Sequence, residues 1–111
     1  MSIADSDAVR HLSKVMFGQE MRIAAMVAIG ESDGLFTLST LADLLELRTL
    51  SLLQKPLKSL EDAGLIERMP NVGTRSVYYQ RREDTSAWKF ASELAEQAMR
   101  GIQTPPGLGL S

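Results

Sequence analysis

Arg48, Thr49, Ser51, Gln54, Lys55 and Lys58 crowd into one short stretch of the chain. A glutamine amide can pair with the edge of an adenine. Lysine and arginine supply bonds to guanine or to phosphate, with serine and threonine beside them. Together they could contact a nucleic-acid groove and its backbone. Arg68 and Arg75 follow, on either side of a loop of turn residues, Pro70-Asn71-Val72-Gly73-Thr74. The competing reading is a solvated helix face that carries lysines for solubility.

Other chemistries find little to work with. The chain has no cysteine, which removes disulfides, thiolate metal sites and thiol redox sensing together. His11 is the single histidine, and with Asp7 it makes no metal cluster. There is no Ser-His-Asp set, no phosphate-binding glycine loop and no paired-acid motif. The sequence therefore predicts no enzyme activity, no metal and no cofactor. It also lacks a run of apolar residues long enough to span a membrane. Met1-Ser2-Ile3-Ala4-Asp5 lacks the basic-then-apolar order of a secretory signal, and a cytoplasmic protein is expected.

Net charge is −2, which by itself argues against a polyanion as partner. Its distribution argues the other way. Residues 1–47 carry a balance of −4, residues 48–82 one of +4, and residues 83–111 one of −2. The positive segment holds the polar cluster and both flanking arginines. A basic face on an acidic protein binds phosphates with strong salt dependence.

Spacing assigns the elements that position these groups. Leu53, Leu57, Leu60 and Gly64 recur at helical intervals, while Ser51, Gln54, Lys55, Lys58 and Asp62 take the opposite face. Gly64 is placed to end that helix in a left-handed residue, with Leu65 folding back onto it. Thr49 can cap its start. Pro56 lies inside and should bend it, because proline cannot donate to the Leu52 carbonyl. Leu50 can rotate toward the core with Leu53, while Leu52 lies nearer the flank, where it could touch a thymine methyl or a protein. Thr37 caps a shorter helix ending near Glu46, with Phe36 and Leu41 placed as a hydrophobic staple. Ile66 and Arg68, then Val77 and Tyr79, alternate with polar residues in the manner of strands. Leu35-Phe36 could add a third.

The segment Leu57-Lys58-Ser59-Leu60-Glu61-Asp62-Ala63-Gly64-Leu65-Ile66-Glu67-Arg68, with Gly73-Thr74-Arg75-Ser76-Val77-Tyr78-Tyr79 after it, resembles a winged helix-turn-helix. The resemblance is to ArsR-like and MarR-like bacterial transcription regulators and covers roughly residues 19–82. It implies a mainly α fold with a small β-hairpin wing, α+β in class. It implies double-stranded DNA as partner, read by Arg48, Thr49, Ser51, Gln54, Lys55 and Lys58 on the recognition helix, with Arg68 and Arg75 at the wing. It leaves a small-molecule effector unspecified, and the lack of thiols disfavours the metal-sensing branch.

The rest of the chain reads as support. Residues 1–6 should be loosely held and residues 102–111 a mobile tail, leaving one domain over 7–101. Val9, Leu12, Val15 and Met16 stripe a first helix. Gln19 to Ile29 is apolar on most sides and should be buried, either as a second helix after a break at Gly18 or as one long bent helix with the first. Trp88, Ala91, Leu94, Ala95, Ala98 and Met99 stripe a last helix that Gly101 should end. In the resembling families such terminal helices form a two-fold dimer. Leu12, Met16, Trp88, Leu94 and Met99 are the expected contacts of a homodimer, against the alternative that they pack on their own domain. The exposed leucines and internal proline also fit a rival reading, a winged helix that binds protein rather than DNA.

Overall fold

The apolar run in the first third of the chain becomes a helix buried on every side. The computed structural model describes residues 2–70 and 76–103. Within it, Asp7–Phe17 forms α1, Arg22–Glu31 forms α2 and Leu35–Phe36 forms β1. Leu38–Leu44 is α3, Ser51–Asp62 is α4, Ile66–Arg68 is β2, Tyr79–Arg81 is β3 and Ala87–Gln103 is α5. The described residues are mainly helical, with one small antiparallel sheet, an α+β arrangement. No described helix is long and apolar enough to cross a membrane.

In α2, Ile23 through Ile29 are all buried. No amphipathic stripe is possible there, so α1, α3, α4 and α5 wrap it. Of the two readings for this half of the chain, two helices is the correct one. Gly18 takes a left-handed φ of 77° and ends α1, a conformation costly for any residue with a Cβ. At the start of α2 no residue of its own N-cap supplies a side-chain bond. Ser13, fully buried on α1, does so instead, accepting from the Ile23 N–H at 3.1 Å and donating to the Gln19 carbonyl.

The far end of α2 is held from the sheet. Arg81 on β3 sends one guanidinium nitrogen to the carbonyls of Ile29, Gly30 and Ser32 at 2.8–2.9 Å. Its Nε pairs with Glu83 at 3.0 Å. A cation on the C-terminal carbonyls of a helix also opposes the negative end of the helix dipole. Gly30 lets α5 come close, since a Cβ there would lie 3.1 Å from the Cβ of Trp88.

The sheet runs β1-β3-β2, both pairs antiparallel. Phe36 and Arg68 face Tyr79 from either side. The expected third strand, Leu35-Phe36, is therefore present. Phe36 and Tyr79 are buried, and their rings stack at 5.8 Å. Val77 does not belong to the return strand, which begins at Tyr79, and it is exposed.

Three further expectations are corrected. Residues 2–6 are not loose: Ile3–Asp5 makes a 3-10 turn capped by Ser2, and Ala4 joins the core. Ser2 Oγ donates to the Leu45 carbonyl and anchors this turn to the end of α3. Gly101 does not end α5, because the helix continues to Gln103. Leu50 does not turn inward, for it precedes the first turn of α4 and stays 42% exposed. Residues 104–111 lie outside the described residues.

Replacing Arg81 with methionine keeps the side-chain volume and removes the cap on α2. We expect a loss of about 2–3 kcal/mol, read as a lower urea midpoint with an unchanged slope. A midpoint equal to the wild type would show that water replaces the guanidinium without cost.

Candidate nucleic-acid interface

Helix α4 is positioned from both ends and from behind. Its C-terminus closes with a double hydrogen bond. Leu65 N–H donates to the Leu60 carbonyl and Gly64 N–H to that of Glu61, both at 3.0 Å, with Gly64 at φ 80°. Leu65 then packs partly against the core. At the start, Thr49 Oγ1 accepts from the Ser51 N–H at 3.3 Å. Leu53, Pro56, Leu57 and Leu60 are buried. Pro56 thus serves as a core residue within one uninterrupted helix. Behind it, Gln19 Nε2 donates to Ser59 Oγ at 3.0 Å, tying the α1–α2 connection to α4.

The outward face carries Ser51, Gln54, Lys55 and Lys58, all exposed. Arg48 and Thr49 stand exposed in the turn before it. The side chains of Arg48 and Lys55 make no ion pair or hydrogen bond among the described residues. Lys58 reaches Asp62 at 3.1 Å one turn on, with both side chains largely in solvent. A pair of that kind contributes only about 0.2–0.5 kcal/mol, so Lys58 exchanges readily onto another anion.

An open groove of about 340 Å³ runs from this face to the hairpin. Gln54, Lys58 and Glu61 border it on α4, and Arg68 and Tyr79 on the sheet. Arg68 lies over the Tyr79 ring at 5.6 Å, donates to its hydroxyl at 3.3 Å, and stands 3.9 Å from the Glu61 carboxylate. Its guanidinium is thereby held beside the groove while the side chain remains exposed. Arg75, the other flanking arginine, lies outside the described residues.

Not every cation of the basic segment belongs to this face. Arg81 is committed to α2. Arg82 is bound to Asp84 at 2.6 Å, and that bond holds the carboxyl of Asp84 below its usual range and raises Arg82 above its own. Both are spoken for away from α4. Sequence reasoning missed Glu61, Tyr79 and Leu38 as groove residues. The signal for Tyr79 was its alternation with Arg68 across the hairpin. Nothing in the sequence pointed to Leu38.

The expected dimer contacts divide. Trp88 is a correction: it is 8% exposed, and its Nε1 donates to the Arg82 carbonyl at 2.7 Å, so it belongs to this protein's own core. Leu12 and Leu94 are partly buried against that same core. Met16 and Met99 remain exposed, as do Val15 on α1 and Phe90 on α5. His11 is exposed, and no cluster able to hold a metal ion exists among the described residues.

No protein-family description and no curated relative matches this chain. Among solved structures it is similar to the crystal structure of RV1404 from Mycobacterium tuberculosis. The TM-score is 0.54 at 20% identity, over 91% of this chain and 71% of that one. At that identity the likeness speaks to the fold alone.

The turn that aims Arg48 and Thr49 stores strain. Glu46 has φ 57°, the one positive φ outside glycine among the described residues. It ends α3 as Gly64 ends α4, with Leu47 N–H donating to the Ala42 carbonyl at 2.9 Å. Glu46→Gly relieves the Cβ clash and should raise stability by about 0.5–1 kcal/mol. A urea titration that shows lower stability would mean that the glutamate backbone is not strained there.

Proposed function

We propose that this chain is a winged helix-turn-helix protein that binds double-stranded DNA and regulates transcription, as a homodimer in the cytoplasm. In this reading α3 and α4 are the helix-turn-helix, α4 enters the major groove, and the β2–β3 hairpin is the wing. One observation carries it. The exposed face of α4 presents Gln54, Lys55 and Lys58 together, and a groove continues from that face to the Arg68 guanidinium over the Tyr79 ring.

The roles follow from chemistry. Gln54 is the residue able to discriminate a base, through paired bonds to adenine. Lys55, Lys58 and Arg48 serve guanine or phosphate, and Arg68 the backbone beside the groove. Four large apolar side chains left exposed on α1 and α5 support pairing of two copies through those helices. A two-fold pair would set two α4 helices on half-sites about 34–36 Å apart, one turn of the duplex.

A second reading has its own observation. Leu50 and Leu52 are 42% and 45% exposed at the start of α4. Leucines there favour a protein surface as much as a thymine methyl. The two readings separate on one set of variants, tested on fragments selected from the source genome. With Gln54, Lys55 and Lys58 changed to alanine, DNA affinity should fall, and the slope of log affinity against log salt should flatten by about 2. If those changes leave binding untouched while Leu50→Ser with Leu52→Ser abolishes function, the protein-binding reading stands instead.

A further inference from the structure

The turn between α3 and α4 is reached by a contact from far along the chain. Ser2 Oγ donates to the Leu45 carbonyl, across 43 positions. The same oxygen accepts from the Ala4 N–H at 3.1 Å, and the Ser2 N–H donates to Asp5 Oδ2 at 3.3 Å. The hydroxyl is therefore fixed by its own 3-10 turn as it reaches α3. That turn is itself anchored. Ala4 is buried, Ile3 packs against the core, and Ser6 leads directly into α1, where its Oγ accepts from the Val9 N–H at 3.3 Å.

The carbonyl that Ser2 holds sits at the decisive bond of the turn. It belongs to the peptide unit between Leu45, at ψ 0°, and Glu46, at the left-handed φ of 57°. That unit is planar and rigid, so turning it over changes both angles together. Holding the Leu45 oxygen in place therefore selects the left-handed form, which a residue with a Cβ keeps where its surroundings impose it. The bond from Leu47 N–H to the Ala42 carbonyl, at 2.9 Å, is the closure that belongs to such a helix end. Arg48 and Thr49 follow at once, both exposed, and Thr49 accepts from the Ser51 N–H at 3.3 Å where α4 begins.

We infer that Ser2 is a positioning residue for the DNA-contacting turn: through the Leu45 carbonyl it holds Arg48 and Thr49 in the orientation from which they meet a duplex. The tie between Ser2 and the turn stands on the geometry alone. Its consequence for DNA rests on the reading of α4 given above. Ordering a backbone segment costs entropy, and a turn that is already set does not meet that cost on binding. With the tie cut, the Leu45–Glu46 peptide samples its other orientation. Apparent affinity then falls in proportion to the share of molecules that stay competent. The coupling is reciprocal, so a duplex seated on Arg48 and Thr49 steadies the Ser2–Asp5 turn. Ser2 also stands on the segment that opens α1, and it thereby links the position of α1 to the start of α4.

The test compares three variants of the full chain. Ser2→Ala removes the donor, Ser2→Thr keeps a hydroxyl, and Ser32→Ala is the control. Ser32 Oγ also bridges two backbone groups, donating to the Ile29 carbonyl at 2.6 Å and accepting from the Gly34 N–H at 3.2 Å, but at the end of α2. The first readout is NMR hydrogen exchange at the Leu47 amide, taken relative to the Val27 amide inside α2. That ratio should rise about fivefold to tenfold in Ser2→Ala and stay within about twofold of the wild type in the other two. An unchanged ratio in Ser2→Ala would overturn the tie. So would a Ser2→Thr chain that exchanges as fast as Ser2→Ala, because the hydroxyl would then not be what holds the turn. The second readout is affinity for a DNA fragment selected from the source genome. Its dissociation constant should rise about threefold to tenfold in Ser2→Ala and hold its wild-type value in Ser2→Thr and Ser32→Ala. A faster Leu47 amide with unchanged DNA affinity would overturn the positioning role. An equal loss of affinity in Ser32→Ala would do the same, by tracing the effect to general weakening of the fold. A faster Leu47 amide in a chain that binds no fragment would refute the DNA reading and uphold the tie.

Discussion

Helix α2 presents apolar side chains around its whole circumference and has no face that water tolerates. It survives only inside a shell of other helices, and its ends must satisfy their backbone groups without solvent. Ser13 supplies the missing acceptor at one end, from α1. Arg81 supplies the missing donors at the other, from β3. These two contacts decide where α1 and the sheet stand relative to α2. The core residues of α3, α4 and α5 then close the remaining sides.

That constraint explains the layout of the outer surface. Once Leu53, Pro56, Leu57 and Leu60 are turned toward α2 and its neighbours, the helical repeat leaves Ser51, Gln54, Lys55 and Lys58 nowhere to go but outward. The hairpin that carries Arg68 is fixed at the same moment, because Arg81 sits two residues after Tyr79 on the same strand. Packing of the interior and aim of the basic face are thus one problem with one solution. Strain at Glu46 and the bond from Ser2 to Leu45 adjust the last part of it, the turn that carries Arg48 and Thr49.

Charge shows how a sequence count and a surface can differ. The stretch from Arg48 to Arg82 has a balance of +4, but its cations have different employers. Arg81 is drawn inside to a helix end and Arg82 is closed onto Asp84. Arg68 and Lys58 are held lightly by Glu61 and Asp62. Arg48 and Lys55 stand without partners among the described residues. The positive side chains without an ion pair among the described residues therefore include two at the start and middle of this surface, Arg48 and Lys55.

Local regularity was legible in the sequence. Helical spacing gave the buried face of α4, Gly64 its left-handed end, Thr37 a cap, and Leu35-Phe36 a strand, because each depends on residues a few positions apart. The full burial of Ile23 to Ile29 was legible too, since no arrangement hides such a run except an interior helix. Contacts between distant residues were not. Nothing near Arg81 in the chain marks it as the cap of a helix about fifty residues earlier, and nothing near Trp88 says that this one side chain packs against Gly30. The order of Ser2–Asp5 depends on the end of α3. The fate of those side chains is settled by which surfaces meet when the chain closes around α2, and that is a property of the assembled interior rather than of any local stretch.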